Sequence, residues 1–152
     1  MVKNKEQCGI SEEQFFGEIY KNAKMGADSI IHLLPHIKDD ELRSAVTQQL
    51  DGYEKYAARA AEALAARGIA AKEENLFTRL SARMGVALNT MLDESGSHIA
   101  EMMIEGSNMA ITEMTKLLND QRIHGDAKEA SRLAEDVVRF EERNLEILKR
   151  YL

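Results

Sequence analysis

The sequence has no tryptophan, one proline (Pro35) and one cysteine (Cys8) in 152 residues. A lone cysteine forms no internal disulfide. No charged-then-apolar leader opens the chain, so a reducing cytoplasmic setting is expected, with Cys8 incidental in a polar tail. Aromatic residues make up only 5% and β-branched runs are missing, which argues against a sheet protein. No apolar run approaches the roughly 20 residues of a membrane span. Positive charge is also short: 20 Lys and Arg stand against 26 Asp and Glu, for a net charge of −6. Phosphate backbones need a basic face, so nucleic acid is an unsuitable partner. There is no glycine-rich phosphate loop, nucleophile elbow or Cys/His cluster, and nucleophilic catalysis has no candidate.

What remains is rich in Ala, Leu, Met, Glu, Lys and Arg, the composition of an all-α domain. The length suits one domain that buries roughly two thirds of its unfolded surface. Residues 1–10 lack periodicity and are expected to be a flexible tail; residues 11–152 form a single helical domain.

The most apolar stretch runs from Ser97 to Asn119. At about 100° per residue, Ile99, Met102, Gly106, Met109, Ala110 and Leu117 form one stripe. Met103, Ile111, Met114 and Leu118 widen it to an arc of roughly 200°, twice what a one-sided surface helix needs. Such a helix must be covered on more than one side, by other helices or a second subunit, and a homodimer is expected. Gly106 and Ala110 remove bulk where a neighbouring backbone can approach. Glu113 falls inside the apolar arc.

The remaining helices read in order. Ser11 and Gln14 form a capping box that opens a helix over Glu12–Leu34, with Phe16, Ile19, Ala23, Ala27, Ile30 and Leu34 on its stripe and Pro35 as its stop. Asp39 or Asp40 caps a second helix carrying Leu42, Val46, Leu50, Tyr53, Ala57, Ala60 and Leu64. Gly68 ends it, with Ile69 completing a Schellman motif. Leu76 to Met91 reads as a shorter amphipathic helix. Joined to the central helix it would be about 67 Å long, against about 35 Å for the first, so a break is expected near Asp93–Ser97. Asp126 and Glu129 form another capping box, opening a last helix with Leu133, Val137, Phe140, Ile147, Leu148 and Tyr151. Four long helices and one connector suit an antiparallel four-helix bundle.

With the connector as a crossover, and with phrases such as QQLDGYEKYAARA and VRFEERNLEILK, the chain resembles the ferritin-like superfamily. That resemblance implies two metals held by a Glu on each of two helices and a Glu-x-x-His on the other two. Here the pattern is degenerate. Glu141-x-x-Asn144 has the spacing and lies on the apolar face, but an amide replaces the imidazole. The second helix offers Glu54 and Gln49 beside its stripe, with Asp51 toward water; the first offers Asp28 and Glu18, both off its stripe. The central helix offers Glu113 inside the arc, or Glu101 and Glu105 outside it. The candidate metal ligands are therefore Glu113, Glu141, Asn144, Glu54 and Glu105, for iron or manganese. Otherwise Glu113, Glu141 and Asn144 form a hydrogen-bonded cluster with Tyr53, Gln49 or an Arg.

Other groupings read as structural. His32 and His36 flank Pro35 at an exposed helix end. Glu94, His98, Glu101 and Glu105 make a solvated face. The methionines between Met84 and Met114 read as core filling or an adaptable interface rather than a copper site. Three functions stay open: a binding or structural bundle without an intact di-iron site, which is favoured; a metal-dependent oxidoreductase or metal-storage protein; and a partner-binding module with a Met-rich groove.

Overall fold

The computed structural model describes residues 10–72, 95–120 and 127–152. The expectations for the N-terminal tail with Cys8, for the Leu76–Met91 helix, for Glu94 and for Asp126 lie outside the described residues. Among the described residues the chain is all-helical and has no strand, an arrangement compatible with a helical bundle. The helices are α1 (Glu12–Leu33), α2 (Asp40–Ala65), α3 (Gly96–Leu118) and α4 (Lys128–Leu148), with short 3₁₀ turns at Leu34–His36 and Lys149–Tyr151.

The helix ends follow from local chemistry. Ser11 and Gln14 exchange side-chain-to-backbone hydrogen bonds of 3.1 and 2.9 Å, closing the capping box of α1; a cap of this kind contributes about 1 kcal/mol. Pro35 turns the chain into the 3₁₀ segment. Asp39 then accepts from the Leu42 N–H at 2.7 Å and starts α2. Past α2, the Ile69 N–H donates to the Leu64 carbonyl and the Gly68 N–H to that of Ala65. Gly68 has φ +73°, so this is the expected Schellman ending, at a conformation other residues resist. Ser95 is extended and accepts from His98, so α3 begins at Gly96. At the start of α4, Ala127 holds the N-cap position and offers no side-chain acceptor. Glu129, in its first turn, reaches Arg67.

Packing is densest between α1 and α2 and between α3 and α4. The core between them contains Phe15, Phe16, Ile19, Ile30, Leu42, Val46, Ile99, Met114, Val137 and Leu148. Burying each such large side chain stabilises the fold by about 1.5–3 kcal/mol. At one end Arg67, just past α2, lies 2.7 Å from Glu12 in α1 and 3.2 Å from Glu129 in α4. Its guanidinium also stacks over the Phe16 ring at 4.8 Å. At the other end Gly96 of α3 sits against Leu42 of α2.

Two glycines admit aromatic rings. A Cβ on Gly52 would overlap the Phe140 ring, and one on Gly26 would overlap the Tyr53 ring. Tyr53 and Phe140 then meet edge to face, centroids 5.0 Å apart at 88°, a favourable aromatic geometry. The close approach expected at Gly106 does not occur: a Cβ there would have nothing within 4 Å.

The buried face of α3 differs from the expected one. Ile99, Ala100, Met103, Ser107, Ala110 and Met114 are buried, whereas Met109 is 58% exposed. The helix packs closely against α4 and only lightly against α1, so the close partner sets its rotation. Glu113 then lies roughly a quarter turn from the middle of the buried stripe. Its side chain is 61% exposed and pairs with Lys116 at 3.3 Å. The expectation of a buried Glu113 is therefore corrected.

Candidate functional site

On α4 the residues Val137, Phe140, Glu141, Asn144 and Leu148 share the buried face. Helical spacing carries the carboxyl and amide inward with the apolar side chains. Glu141 is fully buried. The Tyr53 hydroxyl, from α2, donates to Glu141 Oε2 at 2.7 Å. Ser107 of α3 and Asn144 of α4 also lie close enough to favour the charged forms of both Glu141 and Tyr53. Gln49, one turn before Tyr53, and Asn22 on α1 are buried too. Each of the four helices thus sends at least one polar side chain into the core.

The hydrogen-bonding capacity of this group is not filled. Glu141 Oε1, Asn22 Oδ1, Asn144 Nδ2 and both polar atoms of Gln49 are buried without a hydrogen-bond partner. Buried polar atoms are normally satisfied, because leaving one bare costs about 1–3 kcal/mol. The electrostatics reflect the same burial. Loss of water pushes the Glu141 carboxyl up to about 7, against the opposing hydrogen bond of Tyr53 and the lesser influence of the nearby Ser107 and Asn144 side chains. Burial first, and the Glu141 charge second, push the Tyr53 phenol well above its ordinary value.

A cavity of about 160 Å³ between α1 and α3 runs down to these groups. Its walls are mainly apolar, with Met25, Ile30 and Leu33 from α1 facing Met102, Met103 and Ala110 from α3. Gly106, with open space beside it, keeps it wide, and Met109 and Glu113 mark its exposed mouth. At its floor are Asn22, Tyr53, Ser107 and Glu141.

The five candidate ligands are not drawn into one centre. Glu141 and Asn144 are neighbours in the core. Glu113 borders the same cavity from outside, while Glu54 and Glu105 are exposed. Asp28 pairs with Lys24 and Glu18 with Lys21. His32 is exposed at the end of α1. Among the described residues no three His, Cys, Asp or Glu side chains form a metal-binding group. Among the described residues, those around the buried position are one carboxylate, the amides of Asn22, Gln49 and Asn144, and the hydroxyls of Ser107 and Tyr53. Two iron or manganese ions need several anionic oxygens to bridge them and balance their charge, so this donor set does not fit a dinuclear centre.

Sequence reasoning missed Asn22 and Ser107. Both carried a signal, since Asn22 follows Ile19 by three and Ser107 precedes Ala110 by three, in register with buried neighbours. Comparison with known proteins brings nothing further: no family model, curated protein or solved structure matches the chain.

Proposed function

We propose that the chain is a ferritin-like four-helix bundle in which the interior polar centre binds a small molecule instead of two metals. The helix ends support the bundle reading. α2 finishes beside the first turns of α1 and α4 through Arg67, and α3 starts against Leu42 in the first turn of α2. On this reading α1 and α4 run one way and α2 and α3 the other. Parallel second and third helices are the ferritin-like pattern, and the inward polar side chains from all four helices support it by analogy with the inward ligands of such proteins. No helix among the described residues is long and apolar enough to cross a membrane; a cytoplasmic, non-enzymatic binding protein is the role proposed. Self-association through the α3 flank that carries exposed Met109 belongs to the same proposal.

The observation that carries the binding role is the cavity itself, apolar along its walls and ending on buried polar atoms without partners. Ligand sites commonly combine an apolar concavity with a few convergent polar groups. Toluene titrated into the full chain is expected to shift the methyl resonances of Met25, Met102 and Met103. Gly106→Leu, at a position with open space beside it, fills the cavity and is expected to abolish the shifts. Absence of shifts in the wild type, or shifts that survive Gly106→Leu, would overturn the binding role.

A further inference from the structure

Among the described residues lining the cavity, two are acids and none is Lys, Arg or His. Glu141 closes the floor and Glu113 stands at the mouth. Glu141 Oε2 accepts a hydrogen bond from the Tyr53 hydroxyl, but Glu141 Oε1 and Asn22 Oδ1 are acceptors with no donor. Among the described lining residues the unpartnered polar atoms at the floor are thus both acceptors, and no positive charge faces them. The unpartnered amide nitrogens of Asn144 and Gln49 belong to residues outside the lining. The Tyr53 ring and the methionine sulfurs around the cavity are soft, electron-rich neighbours that suit a cation. As for size, an apolar cavity of about 150 Å³ holds benzene, and this one is about 160 Å³.

We propose that the ligand is a compact primary amine, bound as its ammonium ion, with an apolar body about the size of benzene. This rests on the cavity being a binding site. The ammonium is directed to the free oxygens of Glu141 and Asn22, and the apolar body lies between α1 and α3. A buried carboxylate left alone is costly, and a hydrogen-bonded cation offsets that cost where a neutral hydroxyl offsets only part of it. Among the described residues the titratable groups facing Glu141 are few. The lining residues of α1 contribute none, α2 contributes Tyr53, α3 contributes Glu113, and α4 contributes only Glu141 itself. The pH dependence of amine binding therefore reports Glu141: below pH 7 the carboxyl must lose its proton before the ammonium binds.

The test titrates benzylamine, benzyl alcohol and toluene into the full chain between pH 5 and 8. Benzylamine is expected to bind at least tenfold more tightly than benzyl alcohol at pH 8, as in other charge-assisted pairs. Its affinity is expected to rise roughly a hundredfold from pH 5 to pH 8 and then level off. Glu141→Gln should remove both the preference and the pH dependence, and the wild-type pH series decides the matter even if that variant folds poorly. Equal binding of benzyl alcohol, or benzylamine binding that ignores pH, overturns the amine assignment. Binding of toluene and benzyl alcohol without benzylamine overturns the ligand class alone. Binding of none of the three overturns the cavity reading together with it.

Discussion

Tyr53 and Glu141, 88 positions apart in the chain, share a buried hydrogen bond of 2.7 Å that joins α2 to α4. It is the best-defined element of the polar centre, and the ring geometry around it is specific. Gly26 makes room for the Tyr53 ring, while Gly52 makes room for Phe140, whose ring braces it.

Tyr53→Phe keeps the ring and deletes the donor. A hydrogen bond to an ionised group contributes about 1.5–3 kcal/mol, so a loss of that order is expected in urea unfolding at pH 8. The Glu141 titration should also move upward, because the Tyr53 hydroxyl is the foremost influence holding it down. NMR titration of the Glu141 carboxyl carbon measures this directly; an unchanged midpoint would contradict the bond.

Glu141 makes stability depend on pH in the direction opposite to most carboxylates. Its folded value is about 7 against 4.5 for the free group. The native state therefore holds a proton that the unfolded chain has released between those values. The stability contributed by this group is greatest below pH 4.5, falls as pH rises through the window, and is constant above about 7. The total change is about 3 kcal/mol. Glu141→Gln lacks this dependence, so it should be close to wild type at pH 4.5 and more stable at pH 8. Denaturation curves of both proteins across that range check the sign.

The glycines separate packing from helix propensity. Ala exceeds Gly by about 0.8–1 kcal/mol in a helix interior. Gly106→Ala, with open space beside it, should gain about that much thermal stability. Gly26→Ala and Gly52→Ala would push a methyl into an aromatic ring and should lose about 1–3 kcal/mol despite the better propensity. Stabilisation by either would mean that the ring in question moves freely.

Metal loading separates the proposed role from its rival. After anaerobic incubation with Fe(II) or Mn(II) and desalting, elemental analysis is expected to find well under one ion per chain, since among the described residues only one buried carboxylate is present at the centre. About two ions per chain, lost in Glu141→Leu, would restore the oxidoreductase or metal-storage reading.

Much of the fold was legible because it is local. Ser11 with Gln14, Asp39, and Gly68 with Ile69 each act within a few residues, so the ends of α1 and α2 follow from the sequence. The inward placement of Glu141 and Asn144 was legible for a similar reason: the apolar stripe of α4 is narrow and leaves one rotation for the helix. On α3 the apolar arc spans about half the helix, and several rotations bury comparable surface. Only its tight packing against α4 selected one, bringing Ser107 inward and sending Glu113 to the mouth of the cavity. The Tyr53–Glu141 bond, the clamp of Arg67 on Glu12 and Glu129, and the gap between α1 and α3 join residues far apart in the chain. Periodicity places side chains on a face, but which faces meet, and where they fail to close, is decided by packing all the helices at once.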